Sequence, residues 1–211
     1  MKTPSFEQLH RLSLESFCLK KDNRPQLLKD MTNIAETTTA YNRFLYELAK
    51  NVQPSIIVET GTDRGRSAVH FAAGCPQAQV ITIDIDQNCS NEVRSFGFKN
   101  IVAITSDSLE FTKQLYRYPI IDILFIDSLH NFHQTYREYE HYRPYVREGG
   151  LIIFDDIRIN GEMTAFWNYF VIDKKFDLSV LHFSGFGIAI KNADIIQPYH
   201  EAVNRLALCV R

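Results

Sequence analysis

The stretch SIIVETGTDRGRSAVHFA, residues 55–72, runs from a short apolar segment through a glycine-containing turn into a pattern typical of a helix. Gly61 and Gly65 allow the backbone to turn sharply and to approach a ligand without a Cβ in the way. The amides at the start of the helix, near Gly65 to Ser67, could hold a carboxylate. Glu59, just before the turn, could accept a hydrogen bond from a ligand ammonium or order the loop.

The same succession of a short apolar segment and a helix-forming segment recurs along the chain. Short segments rich in isoleucine and valine alternate with segments that can form helices, which predicts β-α units on a mainly parallel sheet with helices on both faces. Two later segments with a joint at Ser184-Gly185 predict an antiparallel hairpin. The first fifty residues and the last nineteen show helical spacing. The predicted strands are 55–60, 79–85, 100–107, 121–127, 150–156, 176–183 and 185–192.

Composition excludes several classes of partner. The formal net charge is −2, and no basic block is longer than Lys20-Lys21, so we expect neither a nucleic-acid surface nor a membrane-binding patch. The start of the chain has no apolar leader segment, and no stretch approaches about 20 apolar residues, which predicts a cytoplasmic location. The four cysteines show no zinc-binding spacing and are expected to be reduced thiols.

Nearly every predicted parallel strand ends in a carboxylate, and ligands of open α/β sheets bind at that edge. The turn after the first strand reads E-x-G-x-x-x-G, with Asp63 where a dinucleotide pyrophosphate would sit, so the dinucleotide pattern is absent. Asp84 could accept both hydroxyls of a ribose, and Asp107 the amino group of an adenine. Together these positions favour a nucleoside without phosphate, although each glycine turn could be only a turn and each aspartate only a helix cap.

These segments, with IDILFIDSLHNF and GGLIIFDDI (residues 149–157), resemble the class I S-adenosylmethionine-dependent methyltransferases. The similarity is greatest to the group of catechol O-methyltransferase and the small-molecule and sugar O-methyltransferases, and it covers residues 55–192. It implies a Rossmann-like, mostly parallel seven-stranded sheet in the order 3-2-1-4-5-7-6. By position, it implies methionine contacts from Glu59, Gly61, Thr62, Gly65 and Ser67, a ribose contact from Asp84, and adenine contacts from Ser106, Asp107 and Ser108.

The resemblance also implies a metal site. It sets the fourth and fifth strands side by side, so that Asp127 stands next to Asp155 and Asp156. Catechol-type enzymes bind magnesium with an aspartate and an Asp-Asn pair at these places; here the second member of the pair is an acid. Three adjacent carboxylates are hard to keep ionised without a divalent cation. The alternative is that Asp155 caps or hydrogen-bonds a loop while Asp156 faces solvent.

His130 follows Asp127 by three residues, at the offset where catechol-type enzymes place a catalytic lysine. An imidazole can take the proton from an acceptor hydroxyl near neutral pH, so His130 and Asp127 are the predicted catalytic residues. His130 could instead be a metal ligand, a hydrogen-bond donor to the substrate or a structural residue. His133 and His141 are predicted to lie on the surface.

The sequence therefore predicts S-adenosylmethionine-dependent O-methylation of a small molecule, assisted by Mg²⁺ or another divalent cation. The alternatives are a nicotinamide-dependent oxidoreductase and a non-catalytic cofactor-binding protein. We expect one domain over residues 1–211, with a helical cap at 1–53, a cofactor-binding core at 54–192 and a closing helix at 193–211. An apolar face on the N-terminal helices could pair two copies into a homodimer.

Overall fold

The computed structural model describes residues 3–17, 24, 28, 39–118 and 120–192. Within these ranges, helices and strands alternate as predicted from residue 56 onward. The helices are α1 Phe6–Phe17, α2 Thr39–Val52, α3 Arg66–Gly74, α4 Gln87–Ser95, α5 Ser108–Phe111, α6 Phe132–Tyr142 and α7 Gly161–Ala165. The strands are β1 Ile56–Thr60, β2 Gln79–Asp84, β3 Ile101–Thr105, β4 Ile121–Ile126, β5 Val146–Asp155, β6 Lys174–Asp177 and β7 Phe186–Ile190.

The strands form one seven-stranded sheet in the order β3-β2-β1-β4-β5-β7-β6, which confirms the predicted order. The pairs among β1 to β5 are parallel, whereas β7 runs antiparallel to both β5 and β6. Thr60 pairs with Ile83 on one side and with Ile126 on the other, so β1, β2 and β4 end at the same level. Their carboxyl-end loops therefore meet at one edge of the sheet.

Alternate side chains of each central strand enter two separate hydrophobic clusters. On β4, Ile123 and Phe125 pack with α2 and α3 on one face, while Leu124 and Ile126 pack with α6 on the other. Strands covered on both faces must be apolar throughout, and β1 and β4 are buried at every position. This rigid centre fixes the loops that follow β1 and β4.

The predicted strand over 176–183 is confirmed only at 176–177, although its antiparallel pairing with β7 is confirmed. Strand β6 ends at Asp177, because the Asp177 Oδ1 accepts the Ser179 N–H at 2.9 Å and starts a 3₁₀ turn over Ser179–Leu181. The connection to β7 is thus residues 178–185 rather than Ser184-Gly185 alone. This longer connection carries His182 to the edge of the sheet where the strand-end carboxylates lie.

The N-terminal helices are confirmed over 6–17 and 39–52. The predicted C-terminal helix at 193–211 lies outside the described residues, as does most of the segment between α1 and α2. None of the helices in the described ranges combines the length and apolar character needed to cross a bilayer.

Candidate functional site

The loop between β1 and α3 approaches the end of β4 so closely that only glycine fits. Gly61 has φ 86°, and a Cβ added there would lie 2.0 Å from the carbonyl oxygen of Asp127. Its N–H donates to the Ile83 carbonyl at 2.9 Å. Gly65 begins α3 in the left-handed region, with φ 66°, and provides no side-chain cap. The first-turn amides of α3 therefore face this loop without a capping side chain, as an anion site requires.

Glu59 is fully buried beneath the loop. Its Oε1 accepts a hydrogen bond from the Ser67 hydroxyl, and its Oε2 accepts one from Thr82 Oγ1 at 2.6 Å. Burial raises the pKa of Glu59 to about 7, although both hydrogen bonds lower it. These contacts favour the expectation that Glu59 orders the loop over direct contact with a ligand ammonium.

Asp84, at the end of β2, also holds the glycine loop. Its Oδ2 accepts the N–H groups of Thr62 at 2.9 Å and Asp63 at 3.1 Å, and its Oδ1 accepts the Asp86 N–H at 2.9 Å. A carboxylate has about four acceptor sites, so Asp84, which is half-buried, retains capacity for a ligand hydroxyl.

The three residues predicted beside an adenine lie together after β3. Asp107 Oδ1 accepts the N–H groups of Leu109 at 2.8 Å and Glu110 at 3.0 Å, so it caps α5, as the helix-cap alternative stated. Ser106 donates to the Asp107 carbonyl at 2.9 Å. Ser108 turns the other way and donates to a carboxylate on α6.

That carboxylate is Glu138, a buried residue that sequence analysis missed. It joins the loops after β1, β3 and β4 through hydroxyl and amide donors. The donors are Thr60 Oγ1 at 3.1 Å, Ser108 Oγ at 2.5 Å, Ser128 Oγ at 2.8 and 2.9 Å, and Gln134 Nε2 at 2.9 Å. Burial raises the pKa of Glu138. A glutamate in an amphipathic helix gives no sequence signal for this role.

The predicted acidic residues converge around His130. Its Nε2 lies 3.3 Å from Asp127 Oδ1, and its Nδ1 lies 3.2 Å from Asp156 Oδ2. Asn160 fixes the loop by donating from Nδ2 to the His130 carbonyl at 2.9 Å. Asp155 and Asp156 are both buried, which contradicts the alternative in which Asp156 faces solvent. His133 and His141 are exposed, as predicted.

The negative charges of this cluster repel one another, so that a nearby positive charge would stabilise it. Burial raises the pKa of Asp127 well above its usual range, and the charges of Asp155, Glu59 and Asp156 add to the effect. The Tyr41 hydroxyl, from α2, donates to Asp127 Oδ2 at 3.4 Å. Tyr41 lies 86 residues before Asp127, so no local pattern could have associated the two.

His182, on the β6–β7 connection, is a second residue that the sequence did not reveal. Its Nδ1 lies 3.2 Å from Asp155 Oδ1 and 3.4 Å from Asp156 Oδ1, and its ring packs 5.7 Å from that of Tyr41. Burial alone would lower the pKa of His182, but the two carboxylates outweigh it and raise the pKa to about 10. Burial tends to raise the pKa of Asp156, yet contacts with His182 and Ser184 lower it below its usual range.

The donor set fits a small cation. Asp155, Asp156 and His182 each offer one ligand atom, and these atoms all lie within 4.8 Å of one another. Asp155 Oδ1 is buried and accepts no hydrogen bond from the described residues. The charge of His182, whose Nδ1 lies 3.2 Å from this oxygen, offsets part of the cost of burying it, and a bound cation would offset that cost in the same way.

Comparison with known families agrees with this geometry. Residues 58–157, which span β1 to the end of β5, match a family model described as a methyltransferase domain. This match covers just under half of the chain and shows the likeness of its central residues to methyltransferase domains. The described sheet order is that of the class I methyltransferase fold, as the resemblance implied.

Curated proteins similar to this chain include those named rhamnosyl O-methyltransferase from Mycobacterium tuberculosis and Mycobacterium bovis. They are 28% identical over 125 residues, which cover 54% of this chain and 51% of the relative. The chain thus spans about half the length of these curated relatives.

Solved structures show the same fold at low identity. The O-methyltransferase TomG from Streptomyces achromogenes, solved in complex with SAM, has a TM-score of 0.63 at 16% identity, covering 92% of this chain and 100% of that chain. An O-methyltransferase from Bacillus cereus, solved in complex with SAH, has a TM-score of 0.61 at 17% identity, covering 89% and 92%.

Proposed function

We propose that this protein transfers a methyl group from S-adenosylmethionine to a hydroxyl of a small molecule. The observation that carries the proposal is the position of His130 between Asp127 and Asp156, immediately beside the glycine loop. Because Gly61 packs against the Asp127 carbonyl, a methionine moiety held by that loop would end next to a proton acceptor. Methyl transfer requires the methyl donor and the acceptor hydroxyl to be aligned at close range, and a base next to the cofactor loop would allow this.

The cofactor-binding residues have separate tasks. S-adenosylmethionine, when bound, supplies a methyl group on a sulfonium, which is already a good leaving group. The α3 amides from Gly65 to Ser67 would hold its carboxylate, with Gly61 and Thr62 lining the turn and Glu59 fixing it from below. Asp84 would accept the ribose hydroxyls, and Ser106, Asp107 and Ser108 would flank the adenine. Neighbours of this fold that were solved with SAM or SAH support the choice of cofactor.

His130 is the proposed general base. To accept a proton, one ring nitrogen must be unprotonated, and Asp127 can fix the tautomer by accepting from Nε2–H. The proton of the acceptor hydroxyl would then pass to Nδ1, on the side of Asp156. Tyr41 and Asn160 hold the two partners of this pair in place.

We also propose that Asp127, Asp155 and Asp156 take part in binding a divalent cation, Mg²⁺ or another. Such an ion, when bound, would lower the pKa of an acceptor hydroxyl. This part of the proposal is supported by the burial of Asp155 and Asp156 and by Asp155 Oδ1, which accepts no hydrogen bond from the described residues and has the His182 ring as its charged neighbour.

The acceptor is expected to be a small molecule with a free hydroxyl. The name of the rhamnosyl O-methyltransferase relatives supports sugar hydroxyls as the first class to test. A nicotinamide oxidoreductase is not favoured, because Asp63 occupies the place of a pyrophosphate and the relatives are methyltransferases. A homodimer stays a prediction.

Two measurements test the proposal. Calorimetry should show S-adenosylhomocysteine binding to the full chain and no comparable binding of NAD. Transfer from methyl-labelled S-adenosylmethionine to a panel of rhamnosides, other sugars and catechols should then be measured for the wild type, H130Q and D127N. Loss of a general base should slow transfer by about 10²- to 10⁴-fold, with S-adenosylhomocysteine affinity unchanged.

H133Q is the matched control, because His133 is exposed on α6, three residues from His130. It should transfer methyl groups at the wild-type rate. Absence of S-adenosylhomocysteine binding at millimolar concentration would overturn the whole proposal. Full-rate transfer by H130Q would overturn only the assignment of the base, and binding without transfer to any acceptor would favour the non-catalytic alternative.

A further inference from the structure

His182 reaches the acidic cluster from an element unrelated to β4 or β5. The 3₁₀ turn after β6 and the left-handed Gly185 shape the connection, and Gly185 N–H donates to the His182 carbonyl at 3.0 Å. The ring is 14% exposed and lies against Tyr41. Its placement is therefore fixed by packing as well as by charge.

The spacing of the ligand atoms is close to that of a coordination shell, with one of the two distances inside the expected range and the other about 0.1 Å beyond it. Two ligands at about 2.1 to 2.3 Å from one ion, at right angles, lie about 3.0 to 3.3 Å apart. His182 Nδ1 is 3.2 Å from Asp155 Oδ1 and 3.4 Å from Asp156 Oδ1. The first of these oxygens is buried and accepts no hydrogen bond in the described part of the chain, although Nδ1 is near. An ion among the three atoms would give that oxygen a partner.

We infer that His182 is a direct ligand of the divalent cation, together with Asp155 and Asp156. This inference rests on the proposed metal assistance and replaces Asp127 in the predicted all-carboxylate set with an imidazole nitrogen. Coordination through Nδ1 takes the place of the proton that the nitrogen otherwise carries. Asp127 then lies beside the ion, paired with His130.

An imidazole ligand changes which ion the site prefers. Oxygen-only sites suit Mg²⁺, whereas imidazole nitrogen favours later divalent metals such as Co²⁺ and Zn²⁺. The site should therefore bind Co²⁺ more tightly than Mg²⁺, and His182 should be the cause. The preference for Co²⁺ therefore distinguishes a site with a histidine ligand from a site of the same overall charge with carboxylate ligands only.

Calorimetry with Co²⁺ and with Mg²⁺ tests the inference on the purified full chain. The wild type should bind Co²⁺ at least about tenfold more tightly than Mg²⁺. H182Q should lose about tenfold or more in Co²⁺ affinity and much less in Mg²⁺ affinity. H141Q, which removes an exposed histidine of α6, should behave as the wild type. S-adenosylhomocysteine binding, measured in parallel, reports separately on the proposed function.

A spectroscopic test adds a readout on the wild type and on H130Q that does not depend on how well H182Q folds. With Mn²⁺ as the probe, spin-echo spectra of the wild type should show coupling to a histidine nitrogen, identified by ¹⁵N-histidine labelling. The coupling should persist in H130Q and vanish in H182Q. Unchanged Co²⁺ affinity in H182Q, coupling that depends on His130 instead, or no divalent ion bound by the wild type at millimolar concentration would each overturn the inference.

Discussion

At the scale of single residues, two glycines with similar backbone angles lie in very different surroundings. Gly61 has φ 86° and faces the backbone of Asp127, whereas Gly97 has φ 74° and nothing within 4 Å of an added Cβ. The positive φ disfavours a side chain at both positions. Only at Gly61 would an added Cβ also clash with the end of another strand. The pair therefore separates conformational strain from the close approach of two loops.

We expect G97A to lower the free energy of unfolding by about 1 kcal/mol, the cost of a left-handed alanine. G61A carries the same cost and must also displace the end of β4, which adds about 1 to 3 kcal/mol. Urea unfolding of both variants measures the difference. Equal losses would show that the loop can move away from Asp127 without cost.

At the scale of elements, α6 joins the ends of three strands through Glu138. Its two oxygens accept from residues of β1, of the start of α5, of the β4–α6 loop and of α6 itself. A single helical side chain thus couples the loops proposed to hold methionine and adenine. Such a buried polar network is stabilising only while every member is satisfied.

The variant E138Q should weaken S-adenosylmethionine binding by roughly tenfold, because a carboxamide offers one acceptor oxygen where donors face both oxygens. The free energy of unfolding should fall by about 1 to 3 kcal/mol. Calorimetry and urea unfolding measure the two effects, with E140Q, on the same helix, as the matched control. If E138Q lost stability but bound the cofactor with unaltered affinity, Glu138 would have a structural role only, which would contradict the prediction.

Most of the secondary-structure elements and the strand-end aspartates could be predicted from the sequence, whereas two residues of the acidic cluster could not. Alternation of apolar segments with helices predicts the parallel core, since strands buried on both faces have a distinct composition. The positions of Asp127, Asp155 and Asp156 follow from strand ends. Tyr41 and His182 could not be predicted, because they reach the cluster through packing of α2 and through a turn that interrupts a β-like pattern after Asp177.

At the scale of the whole molecule, buried carboxyls with raised pKa values bind protons more tightly in the folded than in the unfolded protein. Glu59, with a pKa of about 7 against the ordinary 4.5, is the clearest example. Between these values the folded state holds more protons, so the free energy of unfolding falls as the pH rises. Its stabilising contribution is complete below pH 4.5 and is lost as the pH passes 7.

We therefore expect E59Q to flatten the dependence of stability on pH. Between pH 5 and pH 8 the wild type should lose roughly 2 to 3 kcal/mol more than E59Q, from the size of the Glu59 shift. Urea unfolding at both pH values measures this, and E92Q, at an exposed position of α4, should retain the wild-type slope. An E59Q slope equal to that of the wild type would contradict the prediction.

The left-handed backbone at Asp156, with φ 55°, has an evolutionary consequence. Aspartate and asparagine are the residues other than glycine that most readily adopt this conformation. Aspartate and asparagine can therefore replace each other at position 156 without a change of backbone conformation, whereas most other side chains are sterically disfavoured there. A lineage can add or remove one negative charge in the acidic cluster and leave the architecture untouched, which, under the proposed metal assistance, would provide a route to new ion requirements on an old scaffold.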